Sequence, residues 1–207
     1  SVFPPVVPMA LVRATGAKSV MDVCMGWGDR MIGALCAGGV EKFIGTDPNP
    51  SVHAGYDKII ECCRKVGFVN SNTHISILPH PAESVRWKRL GAPCDLVFFS
   101  PPYWTLELYE GDKQSVVRYG ESFEAWASKF LSPMIKKACG NVKPGGHFVM
   151  FVANYLDRTQ KKDSSASSSA SGREVLEEIK LADRALASVP RNTMEFLGDV
   201  QFRRDSY

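Results

Sequence analysis

Val20-Met21-Asp22-Val23-Cys24-Met25-Gly26-Trp27-Gly28-Asp29-Arg30 is the stretch whose reading sets the fold. Its apolar start, broken by one carboxylate, reads as a short buried strand over Ser19 to Cys24. Gly26 and Gly28 permit a tight turn that larger residues would obstruct. A helix then runs from Asp29 to Ala37 and is closed by Gly38-Gly39. A strand, a Gly-x-Gly turn and a helix start, in that order, aim backbone N–H groups at a ligand. The longer spacing Gly-x-Gly-x-x-Gly needs glycine at position 31, which is Met31. A nicotinamide-type pyrophosphate site is therefore disfavoured, and a nucleoside without phosphates is allowed.

The same rhythm continues outward. Lys42 to Thr46 is a second strand, followed by a helix from about Pro50 to Val66 that Gly67 ends. Thr73 to Leu78 alternates as a third strand before Pro79 and Pro81 break it. Leu96 to Phe99 is the fourth. Phe123 to Cys139 carries helical spacing, and the turn Lys143-Pro144-Gly145-Gly146 precedes a fifth strand, His147 to Val152. Strands alternating with helices predict an α/β fold: a Rossmann-like, mostly parallel sheet with helices on both faces. At 207 residues and 44% hydrophobic, the chain suits a single domain over 1–207. A Ser- and Ala-rich tract within 160–172 buries nothing and is expected to be a flexible loop. Arg173 to Val189 reads as an amphipathic helix and Thr193 to Phe202 as terminal strand material.

Two features lie on one edge of such a sheet. The second strand ends Ile44-Gly45-Thr46-Asp47-Pro48-Asn49, which places Asp47 about where a ribose-binding carboxylate belongs after Gly28. A turn or N-cap aspartate is the plainer alternative. The fourth strand ends Asp95-Leu96-Val97-Phe98-Phe99-Ser100-Pro101-Pro102-Tyr103-Trp104. Its two prolines forbid ladder pairing and helix, so the chain stops in a rigid, aromatic-lipped loop where open α/β sheets bind ligands.

The net charge of +3 permits a polyanionic partner without demanding one. No apolar stretch approaches membrane-spanning length. The six cysteines form no Cys-x-x-Cys pair and the four histidines share no ligand spacing, so no disulfide framework and no metal are expected. With no signal-peptide pattern in Ser1-Val2-Phe3-Pro4-Pro5, an intracellular location, cytoplasmic or nuclear, is expected. Oligomerisation, with itself or another chain, stays open.

Taken together, Asp22-x-x-x-Gly26-x-Gly28, Asp47 and Ser100-Pro101-Pro102-Tyr103 resemble the Rossmann-like S-adenosylmethionine-dependent methyltransferases that modify exocyclic amino groups. Ser-Pro-Pro-Tyr, rather than Asn- or Asp-Pro-Pro-Tyr, is similar to the form in DNA cytosine-N4 methyltransferases. The tract Tyr109 to Trp126, the Lys143-Pro144-Gly145-Gly146 turn and Phe3-Pro4-Pro5 share the likeness, which covers about residues 3 to 155. It implies S-adenosyl-L-methionine as cofactor and nucleic acid as partner, DNA ahead of RNA.

The resemblance also implies roles. Asp22, Cys24, Gly26 and Gly28 would cradle the methionine part of the cofactor, with Phe3 covering that end. Asp47 would hold the ribose hydroxyls, while Pro48 or Asn49 and Glu83 flank the adenine. Ser100, Pro101, Pro102 and Tyr103 would form the catalytic motif. Trp27 and Arg30 depart from the small residues commoner in this loop. Trp104 is expected as a second wall for the base, with core packing as its alternative. Lys113 and Arg118, after the motif, are the best placed phosphate contacts; Arg86 to Arg89, Arg158 to Lys162 and Arg203-Arg204 are further basic pieces, each of which is also consistent with a solvated face. Adenine N6 in DNA or RNA is the second target after cytosine N4. A protein glutamine amide ranks lower, because it normally goes with Asn at position 100, and a non-catalytic methyltransferase-like subunit is the non-enzymatic alternative.

Overall fold

A computed structural model describes residues 3–107, 114–157 and 177–199. In chain order these form α1 (Val6–Thr15), β1 (Ser19–Asp22), α2 (Asp29–Cys36), β2 (Lys42–Thr46), α3 (His53–Lys65), β3 (His74–Leu78), β4 (Cys94–Phe99), α4 (Ser115–Tyr119), α5 (Phe123–Trp126), α6 (Ser132–Cys139), β5 (Val142–Met150), β6 (Tyr155–Asp157), β7 (Glu177–Ile179) and α7 (Leu181–Ala187). Strands β1 to β5 make one sheet in the order β3-β2-β1-β4-β5, all parallel. The strand order reverses between β1 and β4. That reversal opens a crevice at the carboxyl ends of these two strands, where ligands of such sheets bind.

The sheet is buried on both faces because its strands alternate between two apolar layers. Val20, Leu96 and Phe98 pack with Val12 of α1, Met31 of α2 and Tyr56 of α3. Met21, Val97 and Phe99 point the other way, against Trp126, Leu131 and Ile135. Helices cover both faces, as the alternation of strands and helices predicts.

Several local expectations need correction. Helix α1 goes unannounced by the Pro-rich start. The stretch Phe123 to Cys139 is helical throughout but passes through a π-helical turn at Ala127–Leu131. Pro133, which has no N–H and crowds the preceding turn, lies just beyond that widened segment. Lys143-Pro144-Gly145-Gly146 lies inside β5 and not ahead of it. Cys94 pairs with Val142 and Leu96 with His147, so these four residues bulge out opposite Asp95. Of the helix expected over Arg173 to Val189, residues 173–176 lie outside the described residues, and within 177–189 it is confined to α7. Glu177–Ile179 instead pairs antiparallel with Tyr155–Asp157, and 5%-exposed Ile179 anchors that ladder in the core. Of the strand material expected over Thr193 to Phe202, the described residues 193–199 form no strand, and Phe196 and Leu197 there are 65% and 77% exposed. The Ser- and Ala-rich tract, Lys113, Arg158 to Lys162 and Arg203-Arg204 lie outside the described residues. Among the described residues no helix is long and apolar enough to cross a membrane.

Asp95 ties β1, β4 and β5 together below the crevice. Its Oδ2 accepts the N–H groups of Lys18 (3.0 Å) and Ser19 (2.7 Å) and the Ser19 hydroxyl (2.7 Å), and its Oδ1 accepts Lys143 Nζ at 2.7 Å. Burial works to raise its pKa, but the bonds from Lys143 and Ser19 outweigh it and hold the carboxyl down to about 2. A depressed carboxyl contributes stability that is fully present above its ordinary value of 3.8 and is lost as pH falls through about 2. The side chain is 30% exposed, so the contribution after screening is about 1 kcal/mol. Asp95→Asn is expected to cost about that much at neutral pH and to flatten the acid limb of the stability curve. Urea titrations between pH 7 and pH 2 check both, and an unchanged acid limb would contradict the assignment.

Candidate active site

A cleft of about 680 Å³ opens at the β1/β4 reversal and takes its walls from both halves of the sheet. One end is built by the loop after β1. Gly26 sits at a φ of 57° and Gly28 at 91°, conformations that disfavour side chains. The two glycines do different work. Gly26 lines the cleft with open space around it. Gly28 faces inward, where a Cβ would come within 3.0 Å of Ile59 Cδ1 and 3.2 Å of Tyr56 Cδ1. It permits close packing of α3 against the turn and does not form the cleft wall.

Asp47, from the end of β2, braces this turn. Its Oδ2 accepts the Gly26 N–H at 2.8 Å and its Oδ1 accepts the Asn49 N–H at 2.9 Å. Each oxygen retains a further lone pair, and the carboxylate lines the cleft between Gly26 and Pro48. Burial raises its pKa, and the Asn49 and Gly26 N–H bonds oppose the rise. Met25 N–H donates to the Thr46 carbonyl at 3.1 Å, and the Tyr56 hydroxyl donates to the Gly26 carbonyl. The loop is therefore fixed before any ligand enters.

Asp22 departs from the cradle role its motif implies, because it is 1% exposed and its carboxylate turns into the protein. It accepts Arg30 Nε at 2.8 Å and caps the Cys24 N–H at 3.1 Å. Burial disfavours the charged guanidinium, but Asp22 outweighs it and raises the Arg30 pKa. Arg30 also donates to the Cys24 carbonyl, so this buried pair shapes the loop from behind. The Cys24 thiol lines the cleft, and its pKa is pushed well up by burial and then by Asp22. It stays a neutral thiol at pH 7. Phe3 closes the same end: its N–H donates to Asp29 Oδ2 at 3.3 Å, and its ring meets Phe98 and Phe151 at centroid distances of 5.7 and 5.0 Å.

Glu83, after β3, lines the far side. Its Oε1 accepts Arg118 at 2.5 Å and the Tyr119 hydroxyl at 3.4 Å. Its Oε2 is buried with no hydrogen-bond partner among the described residues, an arrangement that leaves an acceptor waiting for a donor. Arg118, expected at substrate phosphates, is instead engaged with Glu83.

The strand β4 delivers the other half. Phe99 makes the last ladder bond, accepting the Phe151 N–H at 2.9 Å. Beyond it Ser100 is half-buried and Pro101 buried. Among the described residues, neither the Ser100 hydroxyl nor the Pro101 carbonyl has a hydrogen-bond partner. Tyr103 is firmly held: its hydroxyl accepts the Ala153 N–H at 2.9 Å, its ring lies 5.5 Å from Tyr155, and its N–H donates to Glu107 at 3.3 Å. Burial raises the Tyr103 pKa and keeps the phenol neutral. Trp104 does not line the cleft. It is 8% exposed and packs against Phe123 at 5.8 Å, so core packing, not a substrate wall, is its place.

Ser100, Pro101, Pro102, Tyr103, Gly26 and Asp47 thus meet in one cleft. Phe151 and Glu107 line it too, and no local motif marks them in the sequence; their position follows only from β5 pairing and from the turn after Tyr103. Among the described residues no cluster of His, Cys, Asp or Glu could hold a metal ion.

No known family and no curated protein matches the chain in sequence. Solved structures match it in shape. An O-methyltransferase family protein from Burkholderia thailandensis aligns at 18% identity and TM-score 0.47, over 78% of this chain and 40% of its own. An O-methyltransferase from Bacillus cereus in complex with SAH aligns at 16% identity and TM-score 0.41, over 70% and 54%. A methyltransferase from Streptomyces caelestis aligns at 15% identity and TM-score 0.41, over 74% and 50%. The chain spans 40 to 54% of the length of these three proteins.

Proposed function

We propose that this chain transfers a methyl group from S-adenosylmethionine to the exocyclic amine of a nucleobase, with cytosine N4 in DNA as the first target. The observation that carries it is the pair of unpartnered acceptors, Ser100 Oγ and the Pro101 carbonyl, held rigidly in the cleft that Gly26 and Asp47 also line. When bound, the cofactor supplies an electrophilic sulfonium methyl. Asp47 would accept the two ribose hydroxyls, and Glu83 would flank the adenine.

An amine conjugated to an aromatic ring is a poor nucleophile, because its lone pair is delocalised. Ser100 Oγ and the Pro101 carbonyl accept its two N–H groups, which favours a pyramidal nitrogen with its lone pair turned to the methyl group. Tyr103 offers the base a ring face. The N–C bond would form as the S–CH3 bond breaks, with S-adenosylhomocysteine leaving as a neutral thioether. The methylated nitrogen, briefly cationic and strongly acidic, would lose one proton to water, and no side chain needs to be poised as a general base. A base drawn from duplex DNA must first leave the stack, at a cost of a few kcal/mol. The serine at position 100 favours cytosine through its resemblance to the N4 enzymes; the same geometry also suits adenine N6.

Transfer of labelled methyl groups to single-stranded DNA, duplex DNA and RNA tests the reading. Incorporation into DNA is expected, and cofactor binding without incorporation into any strand would contradict it. Asp47→Ala should weaken S-adenosylhomocysteine binding by about tenfold or more, since hydrogen bonds to a charged group contribute about 1.5–3 kcal/mol. Isothermal titration checks this, and unchanged affinity would refute the ribose assignment.

A further inference from the structure

Trp27 takes no part in the methyl-transfer scheme. The chain has four tryptophans. Trp87, Trp104 and Trp126 are at most 8% exposed, whereas Trp27 is 69% exposed on the rim of the cleft. An exposed indole on a mobile loop would carry little meaning, but this one stands on a clamped turn. Gly28 N–H donates to the Met25 carbonyl at 3.2 Å to close the turn. Asp47 holds the Gly26 N–H, Tyr56 holds the Gly26 carbonyl, and Gly28 is packed against Ile59 and Tyr56. Among the described residues Trp27 has no aromatic or cationic ring partner. A large, rigid aromatic face is thus held open to solvent on the lining of the cleft, to which the 53%-exposed Leu106 of the Tyr103 loop also belongs. Such a face loses little conformational entropy when a planar group settles on it.

We propose that Trp27 is a stacking platform for an unpaired nucleobase adjacent to the target, so that the favoured substrate is a single-stranded or locally opened nucleic acid. The inference rests on the nucleobase reading and deepens it. Every base has a π face, so such a platform tolerates any neighbouring sequence. It supplies a strand contact within a chain whose Arg118 is committed to Glu83.

Fluorescence tests it cleanly, because the acrylamide-accessible indole emission belongs to Trp27. With S-adenosylhomocysteine bound, a short single-stranded oligodeoxynucleotide containing one target cytosine should quench that emission and shield it from acrylamide. An abasic site beside the cytosine should abolish the effect. Trp27→Ala should raise the oligonucleotide Kd by roughly tenfold, from the usual strength of base–aromatic stacking, with partial recovery in Trp27→Phe and an unchanged Kd for S-adenosylhomocysteine. The proposal is overturned if the strand binds without altering Trp27 emission, if Trp27→Ala binds it as tightly as the parent, or if S-adenosylhomocysteine alone shields Trp27 and loses affinity in Trp27→Ala. In each of these cases wild-type methylation of DNA would persist, whereas failure of the nucleobase reading itself shows as no methylated base in any strand.

Discussion

Ser100→Ala is expected to slow methyl transfer by about 10²–10³, the usual effect of removing one preorganised hydrogen-bonding group at a reacting centre. The affinity for S-adenosylhomocysteine should not change. The hydroxyl stands free at the end of β4, so its removal breaks no bond among the described residues. What it removes, on the proposed reading, is one of two acceptors for the target amine. On the proposed reading, cofactor binding depends on Gly26 and Asp47, which line the same cleft. Single-turnover rates with saturating cofactor, set beside calorimetric Kd values, separate the two effects. A parental rate in Ser100→Ala would show that the serine does not hold the amine.

Arg30→Ala is expected to destabilise the fold by about 3–5 kcal/mol, because it strands the buried Asp22 carboxylate without a counter-charge. Arg30 is 7% exposed and Asp22 1%, and their contact at 2.8 Å lies directly behind the Cys24 to Gly28 loop. Arg30→Lys should recover only part of the loss, since an ammonium cannot reproduce the planar fork that reaches both Asp22 and the Cys24 carbonyl. Replacing both partners together by apolar residues of similar size should restore much of the stability, because no unpaired charge then remains. Urea unfolding of the three variants checks the series. A loss below about 1 kcal/mol in Arg30→Ala would contradict a buried, structural pair.

The sheet was legible in the sequence because its strands are short apolar runs punctuated by glycine and proline. β2 appears at Lys42–Thr46 as its composition predicts, and the third and fourth strands shift by only one or two residues at their starts. The shared edge was legible for the same reason: parallel strands deliver their carboxyl ends to one side, bringing Gly26, Asp47 and Ser100 to one cleft. What stayed hidden depends on partners distant in sequence. Nothing near Arg118 announces Glu83, thirty-five positions away. Asp22 reads as a loop carboxylate until Arg30 is seen folded back on it. The bulge at Lys143 to Gly146 reads locally as a turn; the ladder resumes at His147 opposite Leu96, and Lys143 pairs with Asp95 across the bulge. Trp104 follows the motif in sequence but turns away from the cleft to join Phe123 in the core, since an indole that large finds more apolar contact there.

The central claim is that this cleft methylates a nucleobase amine. It is tested most directly by nucleoside mass spectrometry of single-stranded DNA incubated with the protein and S-adenosylmethionine labelled in its methyl group. Labelled N4-methylcytosine, formed about 10²–10³ more slowly with Ser100→Ala, is the predicted product. Label on no nucleobase amine, with the cofactor demonstrably bound, would contradict the account.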